Sequence, residues 1–379
     1  MRTLTTLIAA SLGLRATLAA QTGQFVVRLG HDTLAIEQYT RTADRLAGEQ
    51  VVRAPRTVHR LYTINFAPDG SVTSVELVEH NVSGAPGPAE TRWTAEFTGD
   101  SAVMRAPEGD STRTLRVRTG RGGVPFIPQS FGLVEELTRR ALGADRSYTG
   151  TLVGLGDTAT AQATVRPRGS DSVTIMLGPI GPLRARVDPQ GTLLGLSGIG
   201  SVMQVTVERV QGLDFAALGK SFAARSLGTL SPHDSVEATV AGAVLSVRYS
   251  RPSTRGRVIF GNVVPWGRVW RTGANEATVF ETGADLVVGG TTIPAGKYSL
   301  WTIPAPGSWT LIVNKNTGQW GTEYDAQYDL ARLTMQVEHL KQPVEQFTIA
   351  IEPKAKEAVL QFAWERTRAA IPLSVVRRP

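Results

Sequence analysis

The sequence predicts an all-β protein of two parts: an amino-terminal curved antiparallel meander with one helix, then a carboxy-terminal antiparallel β-sandwich of jelly-roll type. Three observations predict it. Runs such as TLAIEQYTR (33–41), VHRLYTINF (58–66), SVTSVELVEH (71–80) and STRTLRVRT (111–119) alternate apolar and polar residues with the period of two that half-buried strands require. Short Gly, Asp and Pro clusters separate them, among them PDG (68–70), PEGDS (107–111) and PQG (189–191), whose residues suit tight turns between antiparallel neighbours. Finally, 379 residues exceed what one hydrophobic core usually supports, and six of the seven tryptophans lie beyond residue 230, so the two parts differ in composition.

Along the chain, residues 1–20 read as a signal peptide, because Arg2 precedes a short apolar stretch and a small-residue segment ending at Ala20. Export to the periplasm or the extracellular space is therefore expected. Residues 21–212 form the meander. Within it, FGLVEELTRRAL (131–142) keeps helical spacing at Leu133, Val134, Leu137 and Leu142 behind Ser130 as an N-cap. Residues 213–230 read as a helical linker capped by Asp214, and residues 231–376 as the sandwich.

Composition narrows the function classes. With no cysteine, disulfides and thiolate chemistry are absent. The five histidines (31, 59, 80, 233, 339) never sit at metal-ligand spacing, so neither a metal nor another cofactor is expected. The net charge of +7 comes mainly from arginines interleaved with acids, and neither a lysine-rich tail nor a nucleic-acid motif is present, so nucleic acid is not an expected partner. No second apolar run is long enough for a membrane helix.

In the second part, SP (231–232), RPSTRGRVIFG (251–261), VPWGRVWRTGANEAT (264–278), IPAGKYSLWTIP (293–304), WTLIVNK (309–315) and WG (320–321) follow one another in an order that resembles the bacterial family of domain of unknown function 2911. The resemblance covers about residues 230–376 and leaves the first part unassigned. It implies an exported bacterial protein and brings with it neither a reaction nor catalytic residues.

The densest chemistry lies in residues 251–278. Guanidinium groups bind carboxylate or phosphate in a bidentate manner, so Arg251, Arg255, Arg257 and Arg271 could converge on an anionic ligand, or could be tied into a network by Glu276. Trp266, Trp270 and Trp301 could form a stacking platform, whereas Trp309 and Trp364, set in strand patterns, belong to the core. Asn275 beside Glu276 reads as a loop-stabilising amide or as half of a polar pair at a pocket floor. The expectation is a binding module for a polar or anionic small molecule or glycan. Two alternatives stand beside it: a metal-independent hydrolase using Glu276 with Asp285, Glu323, Asp325 or Asp329, and a structural envelope protein without a ligand.

Overall fold

The computed structural model describes residues 20–143 and 147–376, so all but the last residue of the expected signal peptide lies outside the described residues. Fifteen strands form the first sheet. Eight run as an antiparallel meander from Gln21–Leu29 to Ser111–Arg118, and six more run from Tyr148–Gly154 to Thr206–Val210. The two runs join where Gln21–Leu29 pairs with Thr206–Val210, Phe25 opposite Arg209. The short strand Val124–Phe126 pairs in parallel with Tyr148–Gly154 and makes one edge, Ser111–Arg118 the other; the sheet is not closed.

The expected helix is α1, Phe131–Gly143, and it packs against strands of both runs. Its apolar residues Leu133, Val134, Leu137 and Ala141 enter the same core as Phe25, Ile64, Val165 and Leu193. The Ser130 hydroxyl accepts from Leu133 N at 3.3 Å, as the sequence predicts for an N-cap. A second cap comes from the sheet: the buried Glu37 carboxylate accepts from Phe131 N at 2.6 Å and Gly132 N at 3.1 Å. The other carboxylates buried by α1 are matched by arginines, Glu135 by Arg139 and Arg209, and Glu136 by Arg41 and Arg140.

Helix α2, Phe215–Ala223, starts at Asp214, which accepts from Ala217 N at 3.0 Å. Rather than spanning open space, it lies on the outer face of the first sheet, with Phe215 against Val26, Ile36 and Val51. Arg53 holds its exit by donating to Arg225 O at 2.8 and 2.9 Å.

The second sheet has nine strands, beginning at His233–Val240 and dominated by the long hairpin of Asp329–Lys354 and Glu357–Val375. The hairpin shifts register between His339 and Thr348, around Pro343, which has no N–H to give to a ladder. Strand His233–Val240 returns against the hairpin, so the expected sandwich is realised by one sheet that folds back over its core of Trp309, Leu311, Phe347, Phe362 and Trp364.

Candidate ligand-binding site

Residues 251–277 leave the second sheet after Ala243–Ser250 and rejoin it at Thr278–Thr282. Hydrogen bonds from Thr254 N to Glu345 O and from Phe347 N to Pro252 O, 2.8 and 2.9 Å, fix the start of this loop on the hairpin, and Trp270 exchanges two backbone bonds with Thr302. The loop is fixed to the first sheet as well. His31 N donates to Arg255 O at 2.9 Å, and the Arg255 guanidinium pairs with Asp32 at 2.5 Å. The close approach requires glycine at position 30, where φ is 63° and a Cβ would run into the Arg255 carbonyl.

The four arginines therefore separate into two kinds. Arg251 pairs with Asp234 at 2.9 Å and donates to Phe347 O and Thr348 Oγ1, a tie between loop and sheet. Arg255 clasps the two sheets through Asp32. Neither Arg257 nor Arg271 forms a salt bridge among the described residues, although the Glu345 carboxylate acts on Arg257 from farther off. Arg257 donates to Thr254 O at 2.9 Å and Ser253 O at 2.7 Å, and Arg271 makes one hydrogen bond, to Asn275 O at 3.1 Å. Burial pushes both guanidinium groups below the usual arginine range, with the nearby Arg255 charge adding to the effect at Arg257, yet arginine stays protonated.

Both line a cavity of about 210 Å³ between the sheets. The first sheet contributes the turn Ser201–Gln204, and the second contributes Trp270, Asn275 and Trp364. Gly321 makes room for the Arg271 stem, since a Cβ there would collide with its Cδ. A second cavity of about 490 Å³ adjoins the first and shares Ser201, Val202, Gln204, Val264, Trp270 and Arg271 with it. Arg268 joins this wall, and neither cavity is lined by an acidic residue.

Several expected site residues lie elsewhere. Glu276 ties none of the arginines: it is exposed and faces a separate groove with His233, Asp234 and Arg248. Its backbone bridges Trp320. The acids weighed as its partners hold turns: Glu323 accepts from Trp320 N, Asp325 from Gln327 N, Asp285 from Ala295 N, and Asp329 from Asn314 and Tyr324. Trp301 is no platform. It is 1% exposed beneath Tyr324, and its indole N–H donates to Ser299 Oγ. Trp266 is 41% exposed but stacks on Phe260 outside the cavity; Trp270 alone of the three lines it, stacked against Trp364. Asn275 acts mainly through its backbone, with φ of 59° aiming its carbonyl at Arg271 and Gly321 N. Arg268 belongs to the arginine-rich run of the sequence without being among the expected site residues, and the first-sheet turn Ser201–Gln204 is not foreseen; a hint at the turn is the pair Ile199 and Val202, apolar in a glycine-rich stretch.

Residues 231–373 match the model of a protein family of unknown function, DUF2911. The loop, Trp270, both unpaired arginines and Gly321 all fall inside the DUF2911 region, whereas Asp32 and the turn Ser201–Gln204 lie before it, in a part without a family match. No curated protein matches the sequence. Among solved structures, a β-barrel-like protein of domain of unknown function DUF1849 from Brucella abortus is 14% identical over 50% of this chain and 94% of its own, with a TM-score of 0.34. An AttH-assigned protein from Nitrosomonas europaea is 10% identical over 93% and 92%, with a TM-score of 0.12.

Proposed function

We propose that the protein binds an anionic small molecule in the cavity between its two sheets, with Arg257 and Arg271 as the anion contacts and Trp270 as an aromatic wall. One observation carries this reading: two half-buried guanidinium groups without a salt bridge face a cavity that no acid lines. A buried charge is costly unless compensated, and arginine cannot neutralise itself by losing its proton. Arg271 uses one of its five N–H donors on a carbonyl, so an entering carboxylate or phosphate finds a donor face already oriented. A neutral glycan fits less well, because Trp301 is buried and Trp266 stands off the cavity. The signal-like composition of residues 1–20 supports placing this binding function outside the cytoplasm.

The test is thermal unfolding with inorganic phosphate and small carboxylates, each against a neutral compound of equal size. A ligand at a hundred times its Kd stabilises by about 2.7 kcal/mol, a readily measured shift. Arg271→Ala should weaken binding roughly 10- to 150-fold, the worth of a charge-assisted hydrogen bond, while the variant still unfolds cooperatively. Equal affinity in the parent and in a folded Arg271→Ala, Arg257→Ala double variant would sink the proposal.

A further inference from the structure

The geometry points to an anionic single-chain amphiphile as the ligand, its head between Arg257 and Arg271 and its chain in the adjoining larger cavity. This inference rests on the anion site proposed above and adds what the second cavity is for. The two spaces are unequal in size, and both combine apolar walls with arginine. The smaller, about 210 Å³, carries the two unpaired guanidinium groups; the larger, about 490 Å³, is walled by Met176, Pro179, Ile180, Val263, Pro265 and Val269. Trp270 and Arg271 belong to both walls, so a molecule anchored on Arg271 can extend into the larger compartment.

The charge pattern gives the larger compartment a polarity of its own. Arg268 and Arg271 are its charged lining residues, so a cationic chain is opposed and an anionic one is drawn in. At the same contact of the two sheets the protein leaves Val202 and Val269 more than a third exposed. Both line the larger cavity. Small-molecule sites are commonly concave and lined by apolar side chains with a few placed polar groups. A small compact anion would fill the first compartment and leave this apolar wall wet; an amphiphile covers both.

Isothermal titration of the full chain with a straight-chain alkanoate series, butyrate to decanoate below micellar concentration, tests the inference. Each methylene buried should multiply affinity about fourfold, so decanoate should bind at least a hundredfold more tightly than butyrate. Val269→Ser, a neutral change at a surface-facing position of the larger cavity, should lower affinity for decanoate more than for butyrate and so reduce this chain-length dependence. If short anions bind and affinity is independent of chain length, the amphiphile is wrong and the anion site stands. When no anion of any length binds the folded parent, both fall. Binding of decyltrimethylammonium as tight as that of decanoate would also overturn the inference, since the arginines would then select nothing.

Discussion

Trp301 and Trp266 sit in similar sequence surroundings, each next to proline- and glycine-containing turns, and the structure gives them opposite roles. In the strand Gly296–Ile303, Tyr298 and Leu300 enter the main core, and Trp301 projects from the other face. That face would be open in an isolated sheet. Here Ala277, Ile312 and Tyr324 cover it, so the strand is buried on both sides. The sequence cannot show this, because the cover comes from a loop whose path depends on the fold. Replacing Trp301 by alanine should cost about 3–5 kcal/mol, the range for a buried aromatic, and Trp266→Ala less than about 1 kcal/mol. Urea unfolding of the two variants checks the contrast, and equal losses would contradict the assignment. The arginines teach a related lesson. Their clustering at residues 251–271 is visible in the text, but the partner that takes up the Arg255 charge at the cavity wall is Asp32, 223 residues away.

At the scale of elements, α1 could be placed from its spacing and from Ser130, whereas its second cap, Glu37, lies on a strand 94 residues earlier. The long hairpin is the reverse case: Pro343 has no N–H to give to a ladder, yet the strand continues past it through a register shift. Glu37 makes α1 sensitive to pH. Burial, outweighing the hydrogen bonds from Tyr62, Phe131 N and Gly132 N, pushes its carboxyl up to about 7 from an ordinary 4.5. The folded state thus holds this proton more firmly than the unfolded chain. Its contribution is fully present below about pH 4.5 and is lost as pH rises through about 7, a difference on the order of 3 kcal/mol. Thermal unfolding from pH 5 to 8 should show the parent losing more stability than Glu37→Gln, whatever the offset between them. Parallel profiles would mean that Glu37 does not titrate in this window.

For the whole molecule, what matters is that the proposed site belongs to neither sheet alone. The DUF2911 region brings the cations and Trp270, and the preceding sheet closes the cavity with Ser201–Gln204 and sets its distance through Asp32 and the backbone of His31. The Arg255–Asp32 pair is therefore a structural determinant of the site, at whose wall Arg255 stands with its charge already taken up by Asp32. Both side chains are mostly buried, so removing one leaves the other's charge poorly compensated. Asp32→Asn and Arg255→Gln should each destabilise the chain, and their double variant should lose less than the sum of the two, with a coupling of about 1–3 kcal/mol. Additive losses would show that the clasp contributes nothing as a pair. A further readout separates clasp from ligand contact: Asp32 does not line the cavity, so Asp32→Asn should weaken phosphate binding only by letting the sheets part, and an engineered covalent link between them should restore affinity in Asp32→Asn but not in Arg271→Ala. Restoration in both, or in neither, would refute the division of labour between the arginine paired across the sheets and the arginines left for a ligand.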